Sequence, residues 1–312
     1  MVEYPCGIFV GKTMFKVLLL SIFLIHSAFA GIIPIESGLN AIYGKDDRSF
    51  INKNSNLKLR ELSNSIALII SKDVIEKKLL TSLIHADLLS NSNGLNLCLG
   101  EKFANHHSVN SCTGFLISDD LVATAGHCFT TDLDCEGKVL AFNVQVSNEN
   151  KNGYSVFNKN IFECSKIVTS LFDSEGNQDY SIIRLKKKVT GRNPLKIRRS
   201  GSINNTDQVF MIGHPLGLPL VSTHNALVND VSFAHSFKAT LDSFEGNSGS
   251  PVFNSKTFEV EGILVRGEED FLADESRQCN AYQVYDQGTI SSPSNKGEGV
   301  TRISEVLTFL KP

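Results

Sequence analysis

Apolar and polar residues alternate over short distances along this chain. Ile66–Ile70, Ser181–Leu185, Val209–Ile212 and Phe258–Val265 are short apolar runs of the kind that form strands. Phe142, Val144 and Val146 alternate with Asn143 and Gln145, the period of a half-buried strand. Asn254-Ser255-Lys256 separates Pro251–Phe253 from Phe258–Val265 and predicts a hairpin. Leu79–Leu89 fits a helix or a strand, and its pattern does not choose between them. At the C-terminus, Val300, Ile303, Val306, Leu307 and Leu310 recur at helical spacing. Many short strands and one terminal helix predict an all-β sandwich or barrel. Internal repeats and low-complexity tracts are absent from the sequence.

The first thirty residues follow another pattern. Lys12 and Lys16 precede the apolar run Val17–Ile25, and the segment ends in Ala28-Phe29-Ala30. This predicts a secretory signal peptide over 1–30, cleaved after Ala30. The run is short for a bilayer span, which needs about 20 apolar residues. Met14 offers a second, more compact start, and no Cys follows the cleavage point to carry a lipid.

Composition changes the picture in two places. The 312 residues are 41% hydrophobic and 20% charged, which argues against a disordered or fibrous chain. Thirty basic against 33 acidic residues give a net charge of −3, with no support for a nucleic-acid or anionic-membrane partner. The seven cysteines are an odd count, but Cys6 leaves with the leader. The six that remain point to disulfides formed in an oxidising compartment, secreted or periplasmic, with no stable membrane insertion after cleavage.

Three segments carry candidate chemistry. Cys112 to Cys128 contains two apolar runs about the turn Asp119-Asp120 and ends in Ala123-Thr-Ala-Gly-His127-Cys128. Gln178-Asp179 precedes an apolar strand, and Gly246-Asn-Ser248-Gly-Ser-Pro251 is loop-forming. Taken singly, each reads as structural: a lone His past a strand, a turn Asp, a glycine-rich loop. Taken together, they supply the parts of acyl transfer. Ser needs a base to remove its proton, and a buried carboxylate fixes the tautomer of that base and stabilises the imidazolium. Glycines beside Ser248 let backbone N–H groups approach a developing oxyanion.

In these residues the chain resembles the chymotrypsin/trypsin-like serine proteases. The order is His127, Asp179, Ser248, with intervals of 52 and 69 residues. An α/β-hydrolase needs Gly-x-Ser-x-Gly, and position 250 is Ser. The resemblance spans roughly residues 98–310. It implies two packed antiparallel β-barrels with a C-terminal helix, His127 and Asp179 in the first (41–195) and Ser248 in the second (196–312). It implies an oxyanion hole at Gly246 and Ser248. It also implies a Cys112–Cys128 disulfide, worth about 3 kcal/mol for a loop of this length. A Cys135–Cys164 bridge is expected because these residues flank the alternating region, while Cys98 and Cys279 have no assigned partner.

Departures from the digestive enzymes point toward the bacterial glutamyl-endopeptidase-like branch. Asn247 stands where trypsin carries the Asp that pairs with a newly formed N-terminus. Ala41-Ile-Tyr-Gly-Lys-Asp-Asp-Arg48 resembles the mature N-terminus of that branch, which makes 31–40 a candidate propeptide. The pocket His of glutamyl endopeptidases is missing from Gly262-Ile-Leu-Val-Arg-Gly267. Asp242, six residues before Ser248, matches instead the pocket-floor Asp that binds a substrate Arg or Lys. A loop Asp capped by backbone amides is the structural alternative.

The remaining histidines form no His-Glu-x-x-His and no close Cys/His quartet, so neither a metal nor another cofactor is expected. His106-His107 reads as an exposed loop pair, and Gly213-His214-Pro215-Leu216-Gly217 as a strand-ending turn. The functional expectation is a secreted, monomeric serine endopeptidase cleaving proteins or peptides after Arg or Lys. Glutamyl specificity and a non-catalytic protease homologue acting as a binding module are the alternatives.

Overall fold

The computed structural model describes residues 41–173, 178–285 and 297–310. The expected signal peptide (1–30) and propeptide (31–40) lie outside the described residues. No helix among the described residues is long and apolar enough to cross a membrane.

Twelve strands form the frame. The first six are β1 (Ile66–Ser71), β2 (Cys112–Leu116), β3 (Leu121–Thr124), β4 (Lys138–Phe142), β5 (Ile161–Asp173) and β6 (Gln178–Leu185). They close in the order β4-β5-β6-β3-β2-β1, every pair antiparallel. The second six are β7 (Gln208–Gly213), β8 (Val221–Asp230), β9 (Ser236–Ala239), β10 (Pro251–Asn254), β11 (Val260–Arg266) and β12 (Glu298–Arg302). They run β7-β10-β11-β12-β9-β8, and a β7–β8 pairing closes the ring. The fold is therefore all-β, with two closed six-stranded antiparallel barrels. Closure leaves no free sheet edge in either ring.

One large core runs through both barrels. Phe115, Phe129, Phe142 and Ile182 from the first barrel share it with Phe210, Phe253 and Ile263 from the second. At about 25 cal/mol per Å² of apolar surface removed from water, such large side chains dominate the stabilisation.

The turns follow their residues. Asp119 and Asp120 link β2 to β3, and residues 255–259 link β10 to β11. Phe258 belongs to that turn (φ 59°), so β11 starts at Val260, later than the sequence pattern suggests. The alternation at Phe142, Val144 and Val146 does not continue as strand. β4 ends at Phe142, Asn143 turns the chain with φ 61°, and Val146–Asn148 is a single 3-10 turn. Asn tolerates that left-handed conformation better than most residues. Within Leu79–Leu89, Thr81–His85 is strand, paired to Gly153–Phe157, and Leu89 opens a 3-10 helix. The terminal helix is a 3-10 helix, Ile303–Phe309, and Val300 lies instead in β12.

Among the described residues three disulfides are present: Cys112–Cys128, Cys135–Cys164 and Cys98–Cys279. His106 and His107 are not an exposed pair. His107 is buried, and the Nδ1 atoms of both rings lie 2.7–2.8 Å from the Glu149 carboxylate. Burial alone would raise the Glu149 pKa, but hydrogen bonds from the two histidines pull it below its ordinary value.

Candidate active site

Asp179 is the second residue of β6 and is wholly buried. His127 lies in the single 3-10 turn Gly126–Cys128, which follows β3. Gly126 is required there, because a Cβ would lie 2.0 Å from the carbonyl oxygen of Leu171. That close approach lets one Asp179 oxygen accept the backbone N–H groups of Gly126 (2.5 Å) and His127 (3.2 Å). The other oxygen meets His127 Nδ1 at 2.8 Å. An imidazole held this way carries its proton on Nδ1 and leaves Nε2 to exchange protons. Phe172 packs against the ring at 5.8 Å, edge to face. The Thr301 hydroxyl of β12 donates to the Asp179 carbonyl at 2.9 Å, tying the second barrel to this corner.

The loop carrying Ser248 is sewn to the same corner through its backbone. Thr113 N–H of β2 donates to the Ser248 carbonyl at 2.8 Å, and its hydroxyl donates to the Gly246 carbonyl at 2.9 Å. The Sγ of Cys128, next in sequence to His127, lies 3.9 Å from that Ser248 carbonyl. Gly246 (φ 88°) and Gly249 (φ 91°) take left-handed backbone conformations on either side. A Cβ on Gly249 would meet the Thr113 carbonyl oxygen at 2.0 Å. Asn247 is wholly buried and spends its side chain inside the loop, on the hydroxyls of Ser243 and Ser250. The N–H groups of Asn247, Gly249 and Ser250 are all donated within the protein. Those of Gly246 and Ser248 have no protein acceptor among the described residues, and the Ser248 hydroxyl has no hydrogen-bond partner there. Two unspent N–H groups beside a hydroxyl are the layout an oxyanion hole requires.

Asp242 is buried under the segment 41–50. Its two oxygens accept the N–H groups of Tyr43 (2.8 Å) and Asp47 (3.1 Å). The strand Ile42–Tyr43 pairs in parallel with Val284–Tyr285, and Ser49–Phe50 pairs with β8. Burial raises the Asp242 pKa to about 7 against these amide hydrogen bonds, and the charges of Asp47 and Asp46 add to the rise. Glu298, also wholly buried, accepts from the Tyr43 hydroxyl at 3.1 Å, and burial together with the Asp270 charge pushes its pKa well up. Arg48 is buried over the rings of Phe244 (4.1 Å) and Tyr282 (4.4 Å) and pairs with Asp46 at 2.8 Å.

Of the residues singled out in the sequence, His127 and Asp179 are in direct contact, while Ser248 and Gly246 are bonded through their carbonyls to Thr113. Asp242 bonds elsewhere, to a segment about 200 positions earlier in the chain. Cys112, His127 and Cys128 place ligand-type atoms within 4.8 Å of one another. Both sulfurs are consumed in their disulfide, so this trio does not fit a metal ion.

Residues 112–263 match the family model of the trypsin-like peptidase domain. An extracellular metalloprotease of Bacillus subtilis (strain 168) is 27% identical over 163 residues, covering 50% of each chain. The chain thus spans about half the length of the curated relative it matches. Among solved structures, the VesB protease of Vibrio cholerae aligns with TM-score 0.49 and 14% identity, over 87% of this chain and 66% of that one. A Glu endopeptidase aligns with TM-score 0.48 and 15% identity, over 85% and 96%. A serine endoprotease of Yersinia pestis aligns with TM-score 0.46 and 15% identity, over 83% and 65%.

Proposed function

From the premise that this chain carries a trypsin-like peptidase domain, we propose that it is an exported serine endopeptidase. The carrying observation is the 2.8 Å contact between buried Asp179 and His127 Nδ1, with the Ser248 loop bonded to the adjoining strand. His127 Nε2 removes the Ser248 proton as the hydroxyl attacks a peptide carbonyl. The oxyanion collects on the N–H groups of Gly246 and Ser248. His127 then protonates the leaving amine, and water repeats the sequence on the acyl-enzyme. The serine–histidine hydrogen bond often tightens only when substrate is bound. Export is supported by the three disulfides and by the extracellular relative.

Asp242 is proposed as the carboxylate that selects Arg or Lys before the scissile bond, from its place six residues ahead of Ser248. One observation favours a second reading, in which Asp242 anchors the segment 41–48: both of its oxygens already accept backbone N–H groups. A fluorophosphonate at neutral pH labels the protein, and Ser248→Ala abolishes both labelling and cleavage. A folded wild-type protein that takes no label overturns the peptidase reading and leaves a binding module. Arg, Lys, Glu and Phe peptides compared side by side decide specificity. Arg cleavage that survives Asp242→Ser overturns the pocket role.

A further inference from the structure

Two leucines stand at the tip of a hairpin in the first half of the chain. The strands Ile75–Lys77 and Thr81–His85 pair antiparallel, and Lys78-Leu79-Leu80 joins them. Leu79 is 94% exposed and Leu80 72%. Phe157, 55% exposed, ends the strand Gly153–Phe157 opposite Thr81, so it lies at the same end of the sheet. Tight turns favour Gly, Asn, Asp, Ser and Pro for their backbone freedom or side-chain bonds, and leucine supplies neither.

The turn is nonetheless firmly built. Lys78 N–H donates to the Thr81 carbonyl at 2.9 Å, and Asn158 N–H to the Leu80 carbonyl at 3.0 Å. The Asn158 side chain donates to the Lys78 and Leu79 carbonyls at 2.8 and 3.3 Å and accepts from the Ser82 hydroxyl at 2.7 Å. The leucines therefore project from a fixed base. Packing does not account for them, since Leu79, Leu80 and Phe157 join none of the apolar clusters.

Lysines surround this apolar tip. Lys77 and Lys78 precede it, and Lys159 Nζ stands 5.7 Å from the centre of the Phe157 ring. A cavity of about 570 Å³ beside the tip shares Lys77 and Asn158 with it and adds Lys72 and Lys187. Glu163 lines the same cavity and pairs with Lys72, Lys77 and Lys186. Glu76 pairs with Lys78, and Asp73, next to Lys72, takes the Ser71 hydroxyl. The lysines outnumber these carboxylates, so this face is cationic although the whole chain carries −3.

We propose that this tip docks the protein onto an anionic lipid bilayer. Leu79, Leu80 and Phe157 enter the boundary between headgroups and acyl chains, and the lysines meet the lipid phosphates. Two features select a bilayer over an acidic polypeptide. The apolar residues stand on a protruding tip, whereas a peptide is gripped in a groove or along a sheet edge. Large apolar side chains bordered by lysines also match an interfacial anchor, in which apolar surface is buried while ammonium groups stay at headgroup level. The attachment is peripheral and does not depend on the peptidase reading.

The test is vesicle flotation of protein purified from culture medium or periplasm. Equimolar phosphatidylglycerol and phosphatidylcholine are compared with phosphatidylcholine alone. The anionic vesicles bind at least tenfold more tightly, and salt weakens the binding. Leu79→Ser with Leu80→Ser lowers the partition by about 100-fold, and Phe157→Ser alone by about tenfold. Lys77→Gln, Lys78→Gln and Lys159→Gln each lower it by roughly fivefold. These side chains are exposed, so every variant keeps the unfolding midpoint of the parent. Lys53→Gln and Lys256→Gln, exposed but outside this group, change binding less than about twofold. Binding that survives the leucine variant, as binding through residues 17–25 would, overturns the proposal. So does an equal loss from the two control lysines. Absence of vesicle binding overturns it as well, and capture by polyglutamate in that case assigns the face to an acidic polypeptide.

Discussion

Asp179 and Asp242 are both buried aspartates, and each accepts two backbone N–H groups. They differ in what else is near. Asp179 adds the His127 ring nitrogen at 2.8 Å. Asp242 adds two further carboxylates, Asp46 and Asp47, whose charges oppose its ionisation. Amide hydrogen bonds alone do not offset the cost of burying an anion, so burial drives the Asp242 proton affinity up. A buried carboxylate beside an imidazole orients a proton carrier. One beside other acids stores a proton itself.

That contrast yields predictions of decreasing size. Asp179→Asn keeps the shape but cannot hold the productive tautomer, and kcat falls by roughly 10⁴. A fall of less than tenfold, in a variant with an unchanged unfolding midpoint, breaks the role of Asp179. Replacing Cys112 and Cys128 together by Ser loosens the turn under His127 and removes about 3 kcal/mol from the free energy of unfolding in denaturant. A double variant as stable as the parent removes the disulfide from the account of this corner.

The smallest effect is a pH slope. The folded pKa of Asp242 stands at about 7, above its ordinary value of 3.8. Between those values the folded chain retains a proton that the unfolded chain has released, so this group's contribution to stability declines as pH rises through the window. Urea unfolding of Asp242→Asn at several pH values therefore shows a shallower decline than the parent. Glu149 has the opposite sign. Its folded pKa is depressed, so its contribution is present at neutral pH and is lost as the pH falls through the folded value. An unchanged slope in Asp242→Asn shows that Asp242 ionises freely and ends the contrast with Asp179.

What could be read from the sequence was what is local along the chain. The strands β1 and β7 were legible because a buried strand is an unbroken apolar run between polar neighbours. The three motifs around His127, Asp179 and Ser248 were legible because each packs its chemistry into a few consecutive residues. The structure places Asp179 against His127, and Gly126 shows why a glycine must precede that histidine. What could not be read depends on distant partners. Nothing near Cys98 announces Cys279. Nothing near Asp242 announces the N–H groups of Tyr43 and Asp47. His106 and His107 read as a polar loop because Glu149, which covers them, comes some forty residues later. The alternation through Val146 misled because Asn143 reverses the chain without interrupting the apolar rhythm.

The Cys98–Cys279 bridge joins residues 181 positions apart and encloses most of both barrels in a covalent ring. A backbone cut anywhere between those cysteines leaves the two pieces tethered. A molecule nicked by any protease still migrates as one species until it is reduced. It also keeps its fragments at high effective concentration, so the nicked chain can retain its shape after its continuity is lost.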